Sequence, residues 1–468
     1  MVFSSLIFLF IFLPCTLMIY YVSPKKLRNL IILIMSLIFY AWGEPVYVFL
    51  MITSIIVNYI GGLIIEGIEE DKEKRRFIFV TVIAINLCSL FFFKYYGFII
   101  NNINGILGTS FQIRALPLPL GISFYTFQLI SYVADVYMKK VEAQHNIIDF
   151  GAYVTMFPQL VAGPIVQYND VKNQLNLREE SIDKFGDGVD RFISGIGKKV
   201  IIANNIGMIW TSIKTLPVNE ISVLTAWIGI IAFTLQIYFD FSGYSDMAIG
   251  LGRMFGFNFL ENFKYPYMAK SISEFWRRWH ISLGSWFREY IYIPLGGNRR
   301  GLKIQFRNLF VVWFATGLWH GASWNFVIWG LYFGALIFLE KVFLGDLLKK
   351  VGGFLSHIYT LVLVIISWVF FDITKVSDAL SYIGVMFGIG ENPIIDSMAR
   401  YTLKSNFIIL IIGILCATPM IRTIFNNIKK RYRLKGVFVA VAINMLILVI
   451  SMTYLVSESY NPFLYFRF

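Results

Sequence analysis

The stretch "FRNLFVVWFATGLWHGASWNFVIWGLYFGALIFLEK" (Phe306–Lys341) holds two apolar runs, 306–320 and 323–341, joined almost without a break. Runs that approach the ~20 residues of a bilayer-crossing helix are read as membrane spans. The same pattern recurs outward from here. The chain has 468 residues, 57% hydrophobic and only 15% charged, with mean hydropathy +0.67. A soluble chain carries about a quarter charged residues. Length alone would suggest about three soluble domains, but the apolar runs overrule that prior. An outer-membrane barrel would show short alternating segments instead. The expected fold is therefore an all-α polytopic membrane protein of about 10–12 transmembrane helices.

The net charge of +13 is not a nucleic-acid footprint. It collects in short loops: Lys25, Lys26 and Arg28; Lys72, Lys74, Arg75 and Arg76; Arg299, Arg300, Lys303 and Arg307; and Lys429, Lys430, Arg431, Arg433 and Lys435. That is the positive-inside pattern, and these loops would meet anionic lipid headgroups. With the basic loops inside, the expected spans are 2–22, 28–43, 45–65, 77–98, 117–137, 189–212, 222–250, 306–320, 323–341, 354–371, 405–425 and 436–456, and both termini face outward. The run Val2–Val22 lacks a basic leader and a small-residue cleavage site, so it reads as a retained span. Cys15, Cys88 and Cys416 lie far apart in apolar runs and read as small buried side chains. The chain reads as a single integral membrane domain, 1–468, with no internal repeat.

Two regions do not fit simple spans. "YVTMFPQLVAGPIV" (153–166) is apolar but interrupted by Pro158, Gly163 and Pro164. Its broken backbone must be buried in protein or line a cavity, as in a re-entrant element. "KYPYMAKSISEFWRRWHISLGSWFREYIYIPLGGNRRG" (264–301) opens with Ser271 and Glu274 at capping-box spacing. Trp276, Trp279, His280, Leu283 and Phe287 then follow at helical spacing, predicting an amphipathic interfacial helix.

The chain has four histidines. His145 and His357 fall in expected loops and read as solvated. His280 and His320 each follow a tryptophan, in "RRWHISL" and "GLWHGAS". A lone histidine on an apolar face is usually structural, but an ionisable residue within a membrane marks a functional path by default. Gly317, Gly321 and Ala322 would let a substrate or a backbone approach His320. A buried imidazole is held neutral by desolvation and can then accept a proton. Competing chemistries lack their signatures. Ser323 lies outside any G-x-S-x-G elbow, and neither histidine has a carboxylate at metal-ligand spacing, so no metal is expected. "GLGRMFG" (250–256) resembles a nucleotide loop only loosely.

"FDFSGYSDMAIGLG" (239–252), "FWRRWHISLGSWFREYIYIPLGG" (275–297) and "GLWHGASWNFVIWG" (317–330) together resemble the membrane-bound O-acyltransferase (MBOAT) family. The closest type is its bacterial alginate O-acetyltransferase branch, whose members act on cell-surface polysaccharides. "FPQLVAGPIVQY" (157–168) and "NPFLYFRF" (461–468) are similar to that branch too. The resemblance implies re-entrant and interfacial helices around a central chamber, an MBOAT-like core over 117–345, N-terminal spans over 1–116, and C-terminal spans with an outward tail over 346–468. It implies that His320 is catalytic. It also places His280 at the second active-site position, an asparagine in many eukaryotic members. The implied co-substrate is a cytosolic acyl thioester, acetyl-CoA, with no bound cofactor. The implied acceptor is an extracellular or cell-wall polysaccharide, reached through an extracellular or periplasmic partner transferase. The implied location is the bacterial plasma membrane.

On this reading His320 is a general base. Trp279, Trp319, Arg277, Arg278 and Asn325 are candidates for holding the donor or its oxyanion, and Arg299 and Arg300 for drawing in its phosphates. Asp240 and Asp246 read first as structural. Tyr465 is a possible acyl carrier, since a phenol with pKa near ~10 ionises more readily than a sugar hydroxyl; an aromatic membrane anchor is the alternative. Three rivals stand beside this function: a transporter or flippase of a lipid-linked sugar, a non-catalytic scaffold of a secretion complex, and, within the family, a teichoic-acid D-alanyl transferase using a carrier-protein thioester. Paired inverted repeats would favour the transporter, and the sequence has none.

Overall fold

Apolar sequence without strand punctuation becomes helix throughout. The computed structural model describes residues 1–468 except 114–115, 162, 432, 458–459 and 465–468, and except the side chains of 429, 430, 433 and 434. No strand occurs among the described residues. Among the described residues, seven helices are long and apolar enough to cross a bilayer: Tyr47–Gly67, Lys72–Leu107, Val223–Met254, Trp324–Val351, Gly353–Asp372, Ser397–Cys416 and Lys435–Ser457. The protein is a multi-pass, all-α membrane protein. The other expected spans are shorter, broken or less apolar.

Two compact units divide the chain: 1–192 with 247–260 and 288–290, and 193–246 with 261–287 and 291–468. The first unit begins with α1 (Leu13–Val22), α2 (Arg28–Ala41), α3 (Tyr47–Gly67), α4 (Lys72–Leu107) and α5 (Ile122–Tyr137). Expected as a span, α5 has only 16 residues, and every residue from Ile122 to Val136 is buried. It is a core helix, which an apolar run alone does not distinguish from a lipid-facing one.

The interrupted stretch 153–166 becomes two short helices, α6 (Ile147–Thr155) and α7 (Phe157–Leu160), both buried. Its backbone polar groups find partners inside the protein. Phe157 N donates to Ser36 Oγ at 3.0 Å and Gln159 Nε2 donates to Tyr153 O at 2.6 Å, as a broken helix at membrane depth requires. The polar helix α8 (Tyr168–Leu177) follows. Arg28, Arg178 and Tyr20 then converge on Glu180, with Arg28 at 2.7 Å and the Tyr20 hydroxyl at 2.8 Å.

The expected span 189–212 is broken. It comprises the end of α9 (Ile182–Ile196), a π-helical turn (Gly197–Asn204) and α10 (Asn205–Lys214). The second unit continues through α11 (Val223–Met254) as far as Asp246, then α12 (Ile272–Arg278), α13 (Ile281–Phe287), α14 (Leu302–His320) and α15 (Trp324–Leu339). It then runs through α16 (Gly345–Val351), α17 (Gly353–Asp372), α18 (Val376–Met386), α19 (Ser397–Cys416), α20 (Met420–Arg431) and α21 (Arg433–Ser457). The predicted interfacial helix of 264–301 is therefore two short helices, parted at Trp279–His280. Helical periodicity persists across the break, so spacing alone did not reveal it.

Candidate active site

Glycine shapes the hairpin that carries His320. A Cβ at Gly317 would overlap the Phe326 carbonyl, and one at Gly330 the Trp313 carbonyl. Side-chain-free surfaces thus let α14 and α15 pack backbone to backbone, with His320 as the last residue of α14. The His320 ring is only 9% exposed. It meets Trp329 at 4.8 Å, Trp319 at 5.0 Å and Phe371 of α17 at 5.3 Å between ring centroids, all edge to face. Trp329 is fully buried. Its indole N–H, like that of Trp276, has no hydrogen-bond acceptor among the described residues.

His280 arrives by another route. The residue sits between α12 and α13 at φ +45°, a left-handed conformation uncommon for a non-glycine residue and held by its surroundings. Asn262 supplies part of that constraint. Its carbonyl accepts from Ile281 N at 3.0 Å, and its side-chain oxygen accepts from Ser282 N at 3.1 Å and Ser282 Oγ at 3.0 Å. Two residues before His280, the Arg278 carbonyl accepts from Lys264 N at 2.9 Å. The His280 ring lies 5.9 Å from Trp319 and 6.1 Å from Phe263. Trp319 is thus shared, touching His280 on one side and His320 on the other. Outside the seven spans, burial pushes the His280 imidazole down to about 3, so it is neutral at physiological pH.

The capping box at α12 is rewired. Ser271 Oγ accepts from Glu274 N at 3.0 Å, but Glu274 reaches back to Lys270 N at 2.9 Å rather than to the cap residue. Glu340 completes the helix start. Its carboxylate accepts from Ile272 N at 2.6 Å, Ser273 N at 2.9 Å and Ser273 Oγ at 2.7 Å. A carboxylate inside an apolar run was the sequence signal for Glu340. Asn262 and Phe371 gave none, and Trp329 was quoted in a motif without a role.

The remaining sequence candidates separate. Trp279 is buried against Trp368 at 5.1 Å and Phe275 at 5.6 Å. Arg278 is engaged by Glu274 at 2.8 Å and by the Lys264 carbonyl at 3.2 Å. Arg277, Arg299 and Arg300 are exposed. Asn325 is fully buried, donates to Phe370 O at 2.9 Å and accepts from Ser323 Oγ. Asp240 pairs with Lys199, and Asp246 with Lys198 at 2.6 Å. His145 pairs with Glu66 at 2.9 Å. His357, expected in a loop, lies inside α17 and bonds the Ala269 carbonyl at 3.0 Å. Tyr465 lies outside the described residues.

Both motif histidines therefore flank Trp319 in one buried aromatic cluster, inside a segment that a family model recognises. The membrane-bound O-acyltransferase family model matches residues 139–377. Across its whole length the chain is 39% identical to the probable alginate O-acetylase AlgI of Pseudomonas putida, covering 100% of both. The chain belongs to the membrane-bound O-acyltransferase family. A peptidoglycan O-acetyltransferase of Helicobacter pylori is 34% identical over 83% of this chain and 80% of its own. A teichoic acid D-alanyltransferase of Bacillus subtilis is 30% identical over 47% and 60% respectively. This O-acyltransferase is a multi-pass protein of the bacterial plasma membrane, and its two motif histidines fall within the matched segment.

Proposed function

We propose that the enzyme takes an acetyl group from cytosolic acetyl-CoA and passes it across the membrane for O-acetylation of an extracellular or cell-wall polysaccharide. The observation that carries this reading is the convergence of His280 and His320 on Trp319 within a buried aromatic pocket. His320 acts as general base. It takes the proton of the attacking hydroxyl as that oxygen bonds to the thioester carbonyl carbon, and the tetrahedral intermediate then expels the CoA thiolate. General-base catalysis of this kind contributes ~10²–10⁴-fold. The intermediate's oxyanion needs preorganised donors. Neutral His280 and the indole N–H groups of Trp319, Trp279 and Trp329 are our candidates, and exposed Arg277 with Arg299 and Arg300 is our candidate contact for the donor's phosphates. Arg278 and Asn325, already engaged by neighbours, support the site's frame. Tyr465 carries the acyl group outward to an extracellular or periplasmic partner transferase. The alginate and peptidoglycan relatives support a polysaccharide acceptor.

The test uses purified protein in nanodiscs with acetyl-CoA, following free CoA and searching the C-terminal peptide for acetate by mass spectrometry. His320→Ala should lower CoA release by about 10²-fold or more with an unchanged elution profile. Release that persists in His320→Ala would remove the general base. Full polymer acetylation in cells carrying Tyr465→Phe would remove the carrier.

A further inference from the structure

Buried ion pairs are weak contributors to stability, because desolvation offsets their attraction. Lys199 and Asp240 form such a pair, with side chains 4% and 1% exposed. Lys199 comes from the π-helical turn Gly197–Asn204 and Asp240 from α11. Wide π turns recur at functional sites. The two segments approach closely at Gly243, where a Cβ would stand 2.9 Å from Gly195 O and 3.1 Å from Lys199 N. Lys198, the neighbouring residue, reaches Asp246 at 2.6 Å.

What distinguishes the Lys199–Asp240 pair is where its remaining hydrogen-bonding capacity goes. Lys199 Nζ donates to the Pro462 carbonyl, and Asp240 Oδ2 accepts from Leu464 N at 2.8 Å. Between those two bonds Phe463 stacks on Tyr244 at 4.8 Å, and the Lys199 ammonium lies 5.8 Å over its ring. Asn461 accepts from Asn204 at 3.2 Å, and the Tyr460 hydroxyl meets Thr211 at 3.1 Å. Phe463 and Leu464 are buried. Five consecutive residues are thus held, although none belongs to a packed α-helix.

We infer that Lys199 and Asp240 are positioning residues that clasp the backbone on either side of Phe463 and fix the register of residues 460–464. The inference rests on the carrier reading only for its consequence: a chain end that relays an acyl group must return to one register at every turnover. The clasp itself can be measured without any acyl chemistry.

The experiment places cysteines by Asn204→Cys and Asn461→Cys in a background with Cys15, Cys88 and Cys416 replaced by alanine. A short bis-methanethiosulfonate reagent bridges them, and the crosslinked peptide is quantified by mass spectrometry. Lys199→Met, Asp240→Leu and Leu464→Pro should each cut the crosslinked fraction by about tenfold, the effect of losing a hydrogen bond to a charged group. Leu464→Pro removes the tail's donor, together with the buried Leu464 side chain, but leaves both residues of the ion pair in place, so it reports even if the Lys199 and Asp240 substitutions misfold. The double exchange Lys199→Asp with Asp240→Lys is decisive. It keeps opposite charges between the two segments but moves the donor away from the position that meets Pro462 O and the acceptor away from the position that meets Leu464 N. The clasp predicts no recovery of crosslinking. Recovery, or wild-type crosslinking in Leu464→Pro, would overturn it and leave a helix-to-helix ion pair. Polymer acetylation in cells should fall with the crosslinked fraction; full acetylation by an unclasped variant would overturn the relay role while the clasp stands.

Discussion

At the scale of single residues, His280 is an imidazole kept uncharged by burial among aromatic rings. Burial, the largest influence on it, pushes its pKa down to about 3, against a backbone hydrogen bond that acts the other way. Its unfolded reference is near ~6.5. The folded state therefore binds fewer protons than the unfolded state between those values, and stability must fall as pH drops through that window. His280→Asn removes the titrating group while keeping a polar side chain that tolerates φ > 0. The variant should match wild type near pH 7.5 in thermal unfolding, and then lose less of its melting temperature between pH 6.5 and 4.5. Parallel acid profiles for the two proteins would mean that His280 is not the group whose burial sets this sensitivity. Residue chemistry could anticipate a neutral buried histidine, since neither requires knowledge of neighbours. It could not anticipate Trp329 or Phe371 as walls of the His320 pocket, because helix pairing brings them there.

At the scale of elements, the informative feature is a helix that stops. α12 has seven residues, too few to be stable on propensity alone, and it ends where His280 must turn. Two anchors hold it, Asn262 after its C-terminus and Glu340 at its start. Removing the Glu340 carboxylate would strand two backbone N–H groups, each at a cost of about 1–3 kcal/mol when buried. Glu340→Ala should therefore lower both the unfolding temperature and acyl transfer. Glu340→Gln keeps one acceptor and should fall between. Full activity in Glu340→Ala, measured as polymer acetylation at equal expression, would show that the α12 start does not set the His280 turn. Much of this layer was legible. The breaks at Pro158 and Gly163 announced a buried irregular segment, and Ser271 announced the start of α12. The break at His280 was not legible, because Trp279 and His280 continue the helical spacing and contain neither proline nor glycine. Nor was α5, whose apolar run reads alike whether it faces lipid or protein. Periodicity reports which residues avoid water, and both environments satisfy that.

At the scale of the whole molecule, the side each loop faces decides the path of the acyl group. A cytosolic thioester and an extracellular polymer can share one enzyme only if opposite ends of its helices open to opposite compartments. The basic clusters at 72–76, 299–307 and 429–435 place those loops inside. Alternation of the expected spans then puts the 372–404 connection outside, together with the chain end that the clasp holds. Glu73 and Glu391 are both exposed in these two regions. In a background with Cys15, Cys88 and Cys416 replaced by alanine, Glu391→Cys should react with a membrane-impermeant maleimide on intact cells. Glu73→Cys should react only after the cytosolic face is opened, in inverted vesicles. The reverse pattern would place the basic loops outside, against the charge rule, and would put the tail that includes Tyr465 on the donor's side. Labelling of both from outside would imply an even number of crossings between residues 73 and 391, where the expected spans give an odd one. Either result breaks the proposed path of the acetyl group, because the relay requires the thioester and the clasped segment to lie on opposite faces.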